Sequence, residues 1–154
     1  MDVLSRPAEE FENDSQVEAM WAMKAFEHAE VYFNIISSVD PKPLKLTPFD
    51  DTIYKIFREE FSDLNIVQLN EDEMKSPEGK MKWRSFCERF KKFVEDYSFG
   101  TLIRADATKD YTQENSILVS RIQFYAIELA RNREGVNDPI RRIFKREKKD
   151  DLNE

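Results

Sequence analysis

The sequence contains very little glycine, cysteine or histidine, and each shortage excludes a class of protein. Its 154 residues include three glycines, one cysteine and one histidine. Phosphate-binding loops of the Walker or dinucleotide type need closely spaced glycines before a helix, whereas Gly79, Gly100 and Gly135 are isolated. Neither nucleotide-driven action nor a Rossmann-type methyltransferase site is therefore expected. Two His or Cys residues are too few for a structural zinc site, and a single cysteine excludes an internal disulfide.

Long apolar runs and targeting segments are also missing. No apolar run reaches about 18 residues, and residues 1–20 carry six acidic side chains against one arginine, unlike a signal or transit peptide. These features and the absence of a possible disulfide predict a cytoplasmic protein, with the nucleus left open, and no contact with a membrane. The net charge of −7 also argues against direct nucleic-acid binding.

Helical patterns account for most of the chain, and a central helix is predicted between Ser76 and Gly100. Ser76 is suited to cap this helix, Pro77 to its first position and Gly100 to its end. Seven side chains fall on one face at a spacing of about 100° per residue. They are Trp83, Phe86, Cys87, Phe90, Phe93, Val94 and Tyr97.

Further helices are predicted on both sides of the central one. The first begins at Ser15, ends before Pro41 and has an apolar arc so wide that packing on two sides is expected. A second helix is capped by Thr47, and a brief one follows Asn70. TLIRADA and SILV are predicted to pair as strands. The last core helix ends at Gly135, and its predicted buried side comprises Leu118, Ile122, Tyr125, Ala126 and Leu129.

The predicted fold class is mainly α, a compact single-domain helical fold of four to five helices with at most a short β-hairpin. Residues 1–14 are predicted to be a disordered acidic N-terminus, and residues 15–137 a single helical domain. Residues 138–154 are predicted to be a charged C-terminal tail with a short amphipathic helix, which docks on its own domain, frays or binds a partner. The side chains expected to be mostly buried are Trp21, Phe26, Tyr32, Phe57, Phe86, Phe90, Tyr125 and Leu129.

Catalytic and metal-binding residues are not predicted. A thiol dyad of Cys87 and His28 is conceivable, but Cys87 lies on the aromatic face of the central helix, which favours a structural role. His28 lies at the edge of an apolar arc, where a partly buried, hydrogen-bonded histidine is the favoured interpretation. Adjacent carboxylates such as Asp50 and Asp51 fall at a helix start, where they interact with the helix dipole. No enzyme activity and no cofactor are therefore expected.

The flank of the last helix is the candidate binding surface. Arg121, Glu128, Arg131 and Asn132 lie together there, and Arg104 approaches them if the two strands pair. One interpretation is an ordinary solvated face, and the other is a binding face rich in arginine. Because exposed ion pairs contribute little to stability, reversing Arg121 and Arg131 to glutamate is expected to leave the melting temperature nearly unchanged.

Four blocks of sequence resemble one family. They are AMWAMKAFEHAEVYFNIISSVDP, LKLTPFDDTIY, KWRSFCERFKKFVEDYSFGTLIRAD and RIQFYAIELARNREGVN. Together they resemble the small eukaryotic polysaccharide biosynthesis domain-containing protein 1 family, and the similarity runs from about residue 14 to residue 137.

The resemblance implies a dedicated, ATP-independent chaperone that binds the nascent GTP-binding domain of translation elongation factor 1-alpha near the ribosome. The expected partners are that nascent chain and the ribosome or nascent-chain factors, and a monomer is expected. A general interaction module linked to nuclear transcription machinery is the alternative, and a polysaccharide biosynthesis enzyme or methyltransferase is the least favoured. The predicted partner-binding residues are Arg104, Arg121, Glu128, Arg131, Asn132, Arg133 and Glu134.

Overall fold

The computed structural model describes residues 15–144, which form one antiparallel hairpin surrounded by helices. The helices are α1 (Ser15–Ser38), α2 (Asp50–Glu60), α3 (Glu71–Met74), α4 (Pro77–Glu88), α5 (Arg121–Arg133) and α6 (138–144). The strands are β1 (Gly100–Arg104) and β2 (Ser116–Ser120). The predicted mainly α fold with a short hairpin is thereby confirmed. The predictions for residues 1–14 and for residues 145–154 of the tail lie outside the described residues.

The core is built around aromatic side chains of α2 and α4. Trp83 stacks on Phe61 with ring centroids 4.1 Å apart, and Phe86 meets Trp83 edge to face at 5.6 Å. Phe57 packs against both of these α4 rings and is fully buried. Aromatic pairs at these separations contribute about 0.5–1.5 kcal/mol beyond the area that they bury. They hold α2 and α4 together.

Helix α4 is shorter than the sequence predicted, because it ends at Glu88 and not near Gly100. Turns replace the helix over residues 89–99, and Asp96 adopts a left-handed backbone with φ of 59°. Phe90 and Val94 remain buried, since these turns continue to direct them inward. Phe93, predicted to face the core, is instead 59% exposed.

The hairpin runs directly into α5. Its register pairs Gly100 with Ser120 and Arg104 with Ser116. The Ser120 side chain accepts a hydrogen bond from the Gln123 amide, and the Gln123 side chain accepts one from the Ser120 amide, which completes a capping box. Leu118 was predicted to lie on the buried side of the helix. It belongs to β2, where alternation leaves its side chain 40% exposed.

Among residues 15–144, helix α1 is covered on one side only, whereas two covered sides were predicted. Its inner side presents Ala25, Ala29, Tyr32, Phe33 and Ile36 to the core. Phe26, predicted to be mostly buried, is 40% exposed.

Helix α6 contacts α1 through aromatic side chains. Phe144 meets Phe33 with centroids 4.9 Å apart, and Ile140 is 1% exposed. Ile143 is 47% exposed. The sequence left open whether this segment docks on its own domain, frays or binds a partner. Ile140 and Phe144 dock on the domain.

Candidate functional site: a buried ionic cluster and an exposed helix face

Four of the seven predicted partner-binding residues are in the core. Arg104, Glu128, Arg131 and Asn132 each have no exposed surface. The prediction that they form an accessible binding face is therefore wrong for this conformation. The physical reason is that elements on several sides of α5 enclose it, so that its polar flank faces the hairpin, α1 and the segment after α5.

Glu128 is the centre of a buried ionic cluster, which we define as Arg104, Glu128, Arg131, Asn132, Asn137 and Tyr32. Its Oε1 accepts a hydrogen bond of 2.9 Å from Arg131 Nη1 and one of 3.3 Å from Arg104 Nη2. Its Oε2 accepts one of 2.8 Å from the Tyr32 hydroxyl and one of 3.1 Å from Asn137 Nδ2. Both carboxylate oxygens are thus satisfied by charged and neutral donors.

The two arginines of the cluster also bond backbone carbonyls. Arg131 Nε donates to the Ile66 oxygen at 2.7 Å, and its Nη2 donates to the Arg104 oxygen at 2.8 Å. Arg104 Nη1 donates to the Ala107 oxygen at 2.7 Å. The cluster therefore joins α5 to the loop at Ile66 and to the end of β1, two segments that have no helix of their own to hold them.

Asparagines connect the cluster to the segment that leads into α6. Asn137 Oδ1 accepts a hydrogen bond of 2.8 Å from Arg104 Nη2, and Asn137 Nδ2 donates to Asn132 Oδ1 at 2.6 Å. Asn132 Nδ2 donates to the Tyr32 hydroxyl at 3.3 Å. Tyr32 and Asn137 were not singled out as site residues from the sequence, and together they extend the cluster from α1 to the start of α6.

Electrostatics keep Glu128 ionised in spite of its burial. Burial by itself raises the pKa of the Glu128 carboxyl, but the charges of Arg104 and Arg131 and the bond from Tyr32 outweigh it and hold that pKa below its ordinary value. Burial and the adjacent Glu128 carboxylate raise the pKa of Tyr32 well above its ordinary value. The cluster is therefore an ionised carboxylate between two cations, closed to solvent, which suits a structural role better than proton transfer.

The sequence carried a signal that could have revealed this burial. Helix α5 has buried apolar side chains on most of its circumference, namely Ile122, Phe124, Ala126, Ile127, Leu129 and Ala130. A helix that is apolar nearly all round is a buried helix, and charged side chains within it then have to pair with one another. The expectation that reversing Arg121 and Arg131 leaves the melting temperature unchanged assumed an exposed Arg131, but Arg131 is buried. Its reversal is now expected to lower the melting temperature, because it would bring two carboxylates together in the core.

The other three predicted binding residues are accessible but do not form one face. Arg121 pairs with Asp96 at 3.3 Å at the start of α5. Arg133 pairs with Asp51 at 2.7 Å, and Glu134 pairs with Arg58 at 2.7 Å, both at the other end of the helix. A separation of twelve residues corresponds to about 18 Å along a helix axis. Their role in partner binding stays a prediction.

His28 and Cys87 have separate surroundings. The His28 ring lies edge to face against Phe124, with centroids 6.0 Å apart. Cys87 Sγ lies 3.8 Å from Ser120 Oγ, and burial raises the pKa of its thiol to about 11. The thiol is therefore protonated at neutral pH, unlike an activated nucleophile. Across residues 15–144, no group of three or more His, Cys, Asp or Glu side chains is placed to hold a metal ion.

The outer side of α1 carries the most extensive series of exposed apolar side chains on any described helix. We define this α1 apolar face as Met20, Met23, Phe26, Val31 and Ile35 together with Val39, which directly follows the helix; all six are between 40% and 64% exposed. Lys24, Glu27 and Glu30 are interleaved with them. A surface that combines flexible methionines with charged side chains suits adaptable, reversible binding to apolar segments. In residues 15–144, no helix, the 24-residue α1 included, is long and apolar enough to cross a membrane.

Comparison with known proteins gives consistent matches over this domain. Residues 17–142 match a family described as PBDC1 protein. The Homo sapiens protein PBDC1 is 54% identical over 137 residues, covering 89% of this chain and 59% of that protein. A Saccharomyces cerevisiae homolog is 44% identical over 137 residues, covering 86% of this chain and 94% of that protein. The chain thus spans less than two thirds of the human relative's length.

A solved structure has the same fold. The solution NMR structure of a Saccharomyces cerevisiae protein superposes with a TM-score of 0.77 at 43% identity, covering 87% of this chain and 94% of that one. The family match extends over nearly all of the described residues, from α1 into α6. The resemblance inferred from the sequence blocks is confirmed, and the chain belongs to the PBDC1 protein family.

Proposed function

We propose that this protein is an ATP-independent chaperone that binds the nascent GTP-binding domain of translation elongation factor 1-alpha near the ribosome, and that the α1 apolar face is its binding surface. The observation that supports the proposal most is the exposure of five large apolar side chains along α1 and of Val39 just after it; Met23 is 64% exposed. The choice of client comes from the family resemblance.

Exposed apolar side chains suit a client that has not finished folding. Complete burial of a Val, Ile or Met side chain contributes about 1.5–3 kcal/mol. Several such side chains on α1 therefore provide useful affinity for the apolar surface of an unfinished domain. A client that has completed its own packing no longer offers that surface, so it dissociates without nucleotide hydrolysis.

The core side of α1 gives this surface a rigid support. Ala29 and Ile36 are 2% and 0% exposed. Tyr32, on the same side of the helix, is bonded to Glu128 of the buried ionic cluster. A helix fixed in this way loses little conformational entropy when a partner binds, which favours association. The cluster therefore acts as the support of the binding surface and does not contact the client.

The function is tested by capture from a translating extract. The tagged full-length protein is added to stalled ribosome–nascent chain complexes that display the complete GTP-binding domain of elongation factor 1-alpha. A matched control displays the GTP-binding domain of an unrelated translational GTPase. We expect enrichment of the elongation-factor complexes over the control, and release of the client once the full-length factor is folded.

Two results would contradict the proposed function. Equal recovery of both nascent chains would show that no dedicated client exists. Recovery of polymerase subunits from nuclear extract, with no recovery of elongation-factor chains, would favour an interaction module linked to transcription.

A further inference from the structure

The outer edge of β2 offers an unused pair of backbone hydrogen-bonding groups. Arg121 N donates to the Phe99 oxygen, and Ala105 N donates to the Asn115 oxygen, so the ladder bonds fall on the odd-numbered residues of this register. The N–H and C=O of Leu118 therefore point away from β1. Within the described part of the chain, neither group has a hydrogen-bond partner.

Two outward carbonyls on the corresponding edge of β1 are occupied. The Leu102 oxygen accepts a hydrogen bond from the Tyr111 hydroxyl, and the Arg104 oxygen accepts one from Arg131. At the centre of the β2 edge, by contrast, neither the N–H nor the C=O of Leu118 has a partner among the described residues. An open strand edge is a template for the addition of another extended chain.

A groove lies beside this open edge, between β2 and α4. Its volume is about 510 Å³, which is within the range of about 300–1,000 Å³ typical of binding sites. Trp83 and Cys87 of α4 line one wall, and Leu118, Val119 and Ser120 line the other. The walls thus combine apolar side chains with backbone groups able to form a strand ladder.

The segment that contains α4 and its flanking turns is basic, although the protein as a whole is acidic. Residues 75–92 contain seven basic and two acidic side chains, a net charge of +5 in a chain of net charge −7. The charged side chains that line the groove are Lys75, Lys80, Arg84 and Glu88, a net charge of +2. Lys75 pairs with Glu71, whereas neither Lys80 nor Arg84 forms an ion pair with any described residue. Two basic side chains beside an open strand edge complement an extended segment that carries carboxylates.

We infer that the groove between β2 and α4 binds an extended acidic segment of another protein, which adds to the hairpin as a third strand. The Leu118 N–H donates to a carbonyl of that segment, and the Leu118 carbonyl accepts one of its N–H groups. Apolar side chains of the segment contact Leu118, which is 40% exposed, while its carboxylates lie near Lys80 and Arg84. This site uses no residue of α1 and does not rest on the proposed chaperone function.

The test uses the full-length protein and the peptide Glu-Val-Glu-Val-Glu-Val-Glu as a probe. At about 90% saturation, hydrogen exchange of the Leu118 amide, measured by NMR, is expected to slow about tenfold. The same peptide with N-methyl groups on alternate residues keeps its side chains but loses ladder hydrogen bonds. It is expected to bind at least about tenfold more weakly. Equal binding of the two peptides, or unchanged exchange at Leu118, would overturn the inference.

Matched variants separate the backbone and charge contributions. Leu118→Pro removes the outward N–H without removing a bond to β1, and Leu118→Thr keeps the N–H. Only the proline variant is expected to lose peptide binding, with circular dichroism confirming that both are folded. Lys80→Gln combined with Arg84→Gln is expected to weaken binding about tenfold. If both Leu118 variants bind like the unmodified protein, strand addition is wrong.

Hydrogen exchange of the Leu118 amide also tests two other occupants of the β2 edge. Slow exchange at Leu118 in the protein alone, reversed when Glu9, Glu10 and Glu12 are replaced by glutamine in the full chain, would mean that the chain's own N-terminal segment occupies the groove. Protection that rises with protein concentration would mean that a second copy occupies it. Either result contradicts the assignment to another protein.

Discussion

Replacement of Glu128 by glutamine is expected to lower the free energy of unfolding by about 3–5 kcal/mol, the cost typical of removing one member of a buried ion pair. The amide carries no charge, so Arg104 and Arg131 remain buried without a counter-charge, although both side chains are fully enclosed. The amide group also presents donors to arginines and a tyrosine that already donate. Urea denaturation followed by tryptophan fluorescence measures the change.

Arg121→Gln is the matched control for this substitution. The Arg121 pair with Asp96 has the same 3.3 Å separation as the Arg104 pair with Glu128, but its side chains are 31% and 37% exposed. Exposed pairs contribute about 0–1 kcal/mol, so a small loss is expected. Equal losses for Glu128→Gln and Arg121→Gln would contradict the structural role of the buried ionic cluster.

The same cluster makes stability depend on acid pH. The pKa of Glu128 is lower in the folded protein than the ordinary value of 4.5. A lowered pKa contributes stability that is present above the ordinary value and is lost as the pH falls through the folded value. The unfolding free energy of the native sequence is therefore expected to decrease below pH 4.5, with a smaller slope in the Glu128→Gln variant.

The combined substitution Met20→Glu and Val31→Glu is expected to reduce capture of nascent elongation factor 1-alpha at least about tenfold, because burial of the exposed halves of the two apolar side chains, about 1.5–3 kcal/mol in total, is lost and charges replace them. Met20 and Val31 are 51% and 58% exposed, so the substitutions are expected to cost the folded domain less than changes at buried positions, and circular dichroism checks that the variant is folded. Glutamate also has a good helix propensity. Capture is measured with the ribosome–nascent chain complexes described above.

Met81→Glu is the control for this second prediction. Met81 belongs to α4 and is 75% exposed, so the substitution adds a charge at a methionine that is more exposed than Met20 and lies away from α1. It is expected to capture the client at the native level. A loss of capture in Met81→Glu equal to that in the α1 variant would point to a general effect of charge and would contradict the assignment of the α1 apolar face.

Local signals in the sequence predicted most of the helical framework. Ser76 and Asn70 were expected to cap helices, and their side chains accept hydrogen bonds from Gly79 N and Glu73 N. Gly135 was expected after the last helix and adopts φ of 83° there. Thr47 was expected to cap α2, but the helix begins at Asp50, whose carboxylate accepts bonds from the Thr47 amide and hydroxyl. Helix caps and apolar periodicity depend on residues close together in the chain, so they can be predicted from a short stretch of sequence.

The buried ionic cluster could not be predicted in the same way. Glu128 and Arg131 are neighbours on a helix, but Tyr32 and Glu128 are 96 residues apart in the chain. A charged side chain on a helix is assigned to solvent unless the elements that cover it are known. The prediction for the outer side of α1 was wrong in the opposite direction, because its apolar residues were assigned to the core. Among the described residues, no element covers Val31 or Met23.

Site-specific photo-crosslinking tests the account most directly. A benzoylphenylalanine at position 31 of α1, or at position 81 of α4 as the control, is irradiated in a translating extract that synthesises elongation factor 1-alpha. The account predicts a crosslink from position 31 to the nascent GTP-binding domain and none from position 81. A crosslink from position 81 alone, or no crosslink to the nascent factor from position 31, would contradict it.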